Sequence, residues 1–348
     1  MLFSCLACTP IQNSSERRAS VNTTLSGKPY LTKSDIYYRI LFVKDSKKAI
    51  AVGIPEEQLE TWSHQGATTT AKLTHETVRN AFSHTSSPLE GKDIEVYLQG
   101  SYVNDTNIRT ESDVDIVVQL NSSWFPDTSR LPPEQQQLYN SSYSTATYTD
   151  QHFRYDVIRS LQSYFGTSSI HVGNKSIKVL PGSGRLSADV VAGLQYRRYL
   201  FFRGIYDQDF VAGIGFHSQD GELIVHFPKL HYENGVRKNA STQNWFKPTV
   251  RLFKNTRSYM VDHNLIGADL APSYFLECMI YNVPDSEFGP SFSDTFCNIV
   301  NWLAKQDING FVCQSEQSML FGTSSEQWSI DKARRFVNAT INLWNNWR

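Results

Sequence analysis

Residues 94–120, IEVYLQGSYVNDTNIRTESDVDIVVQL, read as strand, tight turn, loop and strand. Ile94, Val96 and Leu98 alternate along the first strand, which ends at Gly100-Ser101. The second strand carries Asp113 and Asp115 and then the apolar run Ile116-Val117-Val118. Side chains two apart on a strand share a face. Asp113 and Asp115 are therefore expected side by side, close to Gly100-Ser101. Two neighbouring carboxylates repel and raise each other's pKa, and a cation between them relieves the repulsion. Mg2+ is held by one or two carboxylates together with substrate phosphates. Gly100 permits close backbone approach, and Ser101 offers a hydroxyl and an N–H to phosphate oxygens. The stretch is a candidate nucleotide–metal site.

A third acid, Asp189, lies in Ala-Asp-Val-Val, the same acid-then-apolar pattern as at Asp115. A sheet that brings it beside the first two gives three carboxylates around two Mg2+ ions (Mn2+ being an alternative), a clamp for in-line displacement at phosphorus. Asp189 is then a ligand and a candidate general base for an acceptor hydroxyl. A lone Asp-x-Asp is usually a solvated strand edge, and a lone Gly-Ser is uninformative. Together, with eleven residues between them and flanked by apolar strands, they are a specific signal.

The chain has 348 residues, 40% hydrophobic and 19% charged, enough for two lobes rather than one. With a net charge of −1 and no polybasic run, nothing supports a broad nucleic-acid surface. The five cysteines are odd in number and irregularly spaced, unlike a disulfide framework. Cys5 and Cys8 have half-site spacing for zinc, but no second pair follows. The N-terminus makes a poor signal peptide, and no window approaches the length of a membrane helix. A soluble, reducing, cytoplasmic setting is expected, with no membrane.

The expected organisation is a disordered extension over 1–33, a mixed core with an N-terminal helix over 34–240, and a helical lobe over 241–348. Helices are expected from Thr74 (as N-cap) to Phe82, with Leu73, Val78, Ala81 and Phe82 on one side, and from Tyr148 to Phe165. Residues 121–135, with three prolines, read as loop. Strands are expected at Ser176–Leu180, returning through Arg185–Val191, and at Leu223–Phe227. Four further helices follow: Trp245–Asp262 (helical after Pro248), Pro272–Tyr281, Ser291–Gln306 and Glu326–Trp347. The fold class is α+β.

GSYVNDTNIRTESDVDIVV resembles the nucleotidyltransferase signature of the cGAS/DncV-like (CD-NTase) family. RLSADVV resembles the family's third-acid strand. TVRLFKNTR, PSYFLECMIYNVPD and EQWSIDKARRFV resemble its C-terminal helical lobe. The likeness spans roughly residues 60–348. It implies a polymerase-beta-like nucleotidyltransferase lobe packed on a helical lobe, with the active site in the cleft between. It implies that nucleoside triphosphates, ATP and/or GTP, are joined into a cyclic oligonucleotide with release of pyrophosphate. A cyclic dinucleotide of the cyclic GMP-AMP kind is expected, acting as second messenger for a separate anti-phage effector. By motif, Gly100 and Ser101 would bind donor phosphates, Asp113, Asp115 and Asp189 the metals, Lys254 the triphosphate, Ser273 a phosphate and Tyr274 a base. Arg251, Lys254 and Ser258 recur at helical spacing, so one cationic stripe would face the cleft. Tyr274 competes with a plain core-aromatic reading, since Phe275 is beside it. One departure is Asp105, where many members have Gly. No zinc-ribbon insertion or basic spine is present, so no nucleic-acid activator is expected, and the enzyme is expected to be either constitutively active or regulated by a protein partner. The alternatives are a linear nucleotidyltransferase acting on an RNA end, small molecule or protein, and a silent nucleotide-binding module.

Overall fold

The computed structural model describes residues 53–108 and 113–347. The expectations for 1–33, for Cys5 and Cys8, for most of the segment 34–54 and for the loop residues 109–112 lie outside the described residues.

The opening stretch forms β1 (Ile94–Leu98), a one-turn helix α3 (Gly100–Val103) and β2 (Val114–Asp127). It follows two helices, α1 (Glu56–Ser63) and α2 (Thr69–Asn80). After it come α4 (Pro133–Ser142), α5 (Asp150–Phe165), β3 (Ile170–Val172), β4 (Ile177–Val179), β5 (Ala188–Gly204), β6 (Asp207–His217) and β7 (Leu223–His226). The remainder is helical: α6 (Pro228–Ser241), α7 (Phe246–Asp262), α8 (Ser273–Tyr281), α9 (Phe292–Lys305) and α10 (Ile330–Asn345).

The sheet runs β1-β2-β5-β4-β3, with β6 on β5 and β7 on β6. β2 is buried from Ile116 to Leu120, as a central strand should be. It pairs antiparallel with β1 and parallel with β5. β5 changes neighbour along its length, taking β4 near Asp189 and β6 from Leu194 onward. One face packs against α2 and α5 through Val78, Phe82, Ile116, Phe153, Val157 and Val190. A second core is built from Leu59 on α1 together with Phe253, Leu276, Phe296, Phe336 and Trp344 of the later helices. Ser291 and Ser329 cap α9 and α10, each accepting a backbone N–H with its hydroxyl. Among the described residues, no helix is long and apolar enough to cross a membrane.

Several local expectations need correction. The helix expected from Thr74 starts at Thr69. Thr74 is buried inside it, donating to the Thr70 carbonyl and accepting from the Leu186 N–H, so its hydroxyl is satisfied without capping. Leu73 turns outward at 49% exposure. Residues 121–135 are not loop throughout: β2 runs on to Asp127, and α4 starts at Pro133. Pro126 fits because β1 begins opposite Leu120, leaving that side of β2 without a ladder partner beyond it. Pro133 occupies the first turn of α4, where its missing N–H costs nothing. For the same reason α7 begins at Phe246, before Pro248. The last helix starts at Ile330, and Glu326 lies outside it. β6 and α6 had no counterpart among the expectations.

Candidate active site

Gly100 takes a positive φ of 71° and turns the chain out of β1. A Cβ there would lie 2.2 Å from Oδ2 of Asp115, so only glycine lets the turn press against that carboxylate. The N–H of Gln99 donates to the Asp115 carbonyl at 3.0 Å, tying turn to strand. Across the parallel ladder, Asp115 and Asp189 are register partners. Asp113 precedes β2, and Lys178 on β4, itself the register partner of Asp189, donates to its Oδ2 at 2.7 Å.

Burial, reinforced by the charges of Asp189 and Asp113 and opposed by Lys254, pushes the Asp115 carboxyl up to about 7. Burial and Asp113 likewise raise Asp189, against Lys178 and Ser176. Among the described residues no three His, Cys, Asp or Glu side chains form a preformed metal cage. The donor set nevertheless fits a hard divalent ion: oxygen ligands only, with mutual repulsion that such an ion would relieve. Asp113, Asp115 and Asp189 would hold it, and Asp113 would exchange Lys178 for it.

A cavity of about 490 Å³ opens beside these acids. Gly100, Ser101 and Asp115 line it from the sheet side, and Lys254, Ser273 and Tyr274 from the helices. Asp113 and Asp189 are not among its lining residues; Asp189 is tied to the site as the register partner of Asp115. Tyr274 is 47% exposed and stacks on His231, ring centroids 5.5 Å apart, whereas its neighbour Phe275 stacks on Trp328. Phe275, not Tyr274, has the core-packing role.

The expected stripe on α7 does not face the cavity as a unit. Lys254 lines it, but Arg251 donates to the carbonyls of Ser63 and Asp105. Lys254 spends its donors on the Thr106 carbonyl at 3.3 Å, the Thr106 hydroxyl at 3.1 Å and Glu277 Oε2 at 2.8 Å. Asp105, the departure from the family string, adopts φ 56° and pairs with Lys247 at 2.8 Å. Asp is among the few non-glycine residues that visit this region.

Sequence reasoning missed Glu277, which is 3% exposed. It accepts from Asn104 at 3.3 Å and Thr106 at 2.9 Å, and lies 3.0 Å from Nε2 of His231. Burial alone would raise its pKa, but Lys254 and His231 outweigh burial and hold it well below the usual carboxylate range. A clue was visible: Glu277 is the single charged residue in SYFLECMIY. Also missed was a trio on the cavity wall, Lys175, His226 and Glu326. Glu326 accepts from Lys175 and lies 3.3 Å from His226. The hydrogen bond from His226, with help from Lys175 and against burial, holds its carboxyl down to about 2.

The sequence matches the model of the cGAS/DncV-like nucleotidyltransferase C-terminal helical domain over residues 233–345, and that of a nucleotidyltransferase domain over residues 76–163. It is 50% identical over 295 residues to the cyclic UMP-AMP synthase of Rhodothermus marinus, covering 84% of this chain and 99% of the relative. It is 41% identical over 300 residues to the cyclic nucleotide synthase CdnE01 of Staphylococcus haemolyticus, with coverage of 84% and 99%. The structure of the Rhodothermus marinus CdnE c-UMP-AMP synthase with Apcpp and Upnpp superposes with a TM-score of 0.77 at 49% identity, covering 84% of this chain and 97% of that one. The nucleotidyltransferase family is generally metal-dependent. The chain belongs to the cGAS/DncV-like nucleotidyltransferases and is a nucleotidyltransferase of the cyclic nucleotide synthase kind.

Proposed function

We propose that this enzyme joins two nucleoside triphosphates into a cyclic dinucleotide, with UTP and ATP as the pair. The observation that carries the reaction type is the register of Asp115 against Asp189 beside the Gly100 turn. The likeness to a cyclic UMP-AMP synthase over nearly its whole length favours UTP and ATP over the GTP and ATP of the sequence-based expectation.

In this reading Gly100 and Ser101 hold donor phosphates by backbone and hydroxyl groups. Asp113, Asp115 and Asp189 hold the divalent ions. When bound, those ions neutralise triphosphate charge and lower the pKa of the acceptor hydroxyl. Asp189 takes the hydroxyl proton, the oxygen attacks the α-phosphorus of the donor, and pyrophosphate leaves. A second transfer of the same kind closes the ring. Tyr274, half exposed in the cavity wall, stacks on a base, which tolerates any base identity. Ser273 hydrogen-bonds a phosphate, and Lys254 adds positive charge to the same cavity. The product serves as a second messenger for a separate anti-phage effector, and a protein partner regulates the synthase.

Incubation with Mg2+ and all four triphosphates, each omitted in turn, tests the substrate pair. Omission of UTP or of ATP should remove the phosphatase-resistant product, and omission of GTP or CTP should leave it. Product that survives without UTP would overturn this pairing.

A further inference from the structure

Glu277 joins four elements at the wall of the nucleotide cavity, which it lines together with Lys254 and His231. Asn104 and Thr106 come from the segment that follows the phosphate-binding turn, His231 from α6, Lys254 from α7, and the carboxylate itself from α8. A buried ion pair is weak as a source of stability, because apolar residues of similar volume do as well or better. What this pair supplies is geometry. Lys254 directs its donors to Thr106 and Glu277, so those contacts fix where its charge stands in the cavity wall. His231 lies between Glu277 and the ring of Tyr274. Ser273 sits one helical turn before Glu277 on the same face of α8. Asn104 and His231 both line the cavity, and each keeps a buried polar atom, Oδ1 and Nδ1, without a protein partner. The network is therefore not closed on itself.

We propose that Glu277 is a positioning residue that aligns the phosphate-binding turn with the base-stacking tyrosine, acting through Lys254 on one side and His231 on the other. This rests on the reading that the cavity holds nucleoside triphosphates. Both carboxylate oxygens of Glu277 are taken up by protein partners, so it acts through them. It keeps the two halves of the nucleotide site at a fixed separation.

The test compares wild type, Glu277→Gln, Lys254→Met and the double variant. Each is assayed for binding of a non-hydrolysable ATP analogue and for steady-state pyrophosphate release. Glu277→Gln keeps the shape but not the charge, and should weaken analogue affinity and raise KM about tenfold while kcat changes much less. In the Lys254→Met background the same change should raise KM by clearly less than tenfold, because only the route through His231 remains. Wild-type KM and affinity in Glu277→Gln, or losses that multiply in the double variant, would overturn the proposal. If Glu277→Gln does not fold, the double variant, which removes both charges together, should fold and fall below Lys254→Met in affinity by clearly less than tenfold; a further tenfold drop would count against the proposal. Analogue binding by wild type tests the nucleotide reading separately, and its absence would overturn that reading.

Discussion

Asp115 on β2 and Asp189 on β5 face one another as register partners across a parallel ladder, with Asp113 close enough to raise the pKa of both. Three acids gathered with a single lysine ion-paired among them, Lys178 on Asp113, destabilise a fold that function requires. Asp115→Asn should therefore remove turnover, by on the order of a hundredfold or more. In metal-free buffer near neutral pH it should unfold at the same or a higher urea concentration than wild type. A variant that is both active and less stable would contradict this view of the acids.

Gly100→Ala should fold but fail in catalysis. The added methyl meets Asp115 Oδ2 at 2.2 Å and sits at a φ of 71°. The backbone cost is about 1–2 kcal/mol. The larger consequence is displacement of the Asp115 carboxylate, which the proposed mechanism assigns to the metal. Thermal unfolding and pyrophosphate release, measured side by side, should show a modest loss of stability and a severe loss of rate.

Asp105→Gly restores the residue common in the family string and should be nearly neutral. It relieves a left-handed φ of 56° but loses the ion pair with Lys247. The pair is exposed on the aspartate side and contributes at most about 1 kcal/mol. Asp105→Ala keeps the strain and loses the pair, so its urea midpoint should fall below that of both wild type and Asp105→Gly.

Asp127, at the end of β2, gives the fold an acid-sensitive contact. Burial would raise its pKa, but hydrogen bonds from Ser129, Arg198 and Tyr196 prevail and hold it below the ordinary value of 3.8. A depressed carboxylate contributes stability that is complete above its unfolded pKa and lost as pH falls through the lower, folded one. Stability should decline below about pH 4. In Asp127→Asn that part of the decline should be missing, with lower stability at neutral pH. Urea midpoints at several pH values measure both.

Much of this was legible in the sequence, for physical reasons. Apolar alternation at Ile94–Leu98 and the run after Asp115 specify strands by local pattern alone, and the serine before α9 marks a helix start. The prolines of 121–135 misled because their cost depends on which backbone edge is already unpaired, and only the sheet determines that. Thr74 misled because its hydroxyl is satisfied by Leu186, over a hundred positions away. Glu277, His231 and Lys178 escaped for the same reason: each matters through partners distant in sequence. Tyr274 and Phe275 could not be told apart by type or spacing; packing against Trp328 separates them.

The most direct test is product analysis. The purified protein is incubated with Mg2+ and the four triphosphates, treated with phosphatase and examined by mass spectrometry, with Asp113→Ala/Asp115→Ala as control. The expected result is a phosphatase-resistant cyclic dinucleotide made by wild type and absent from the control. A transferred nucleotide found only in linear form, or a cyclic product made equally well by the control, would contradict it.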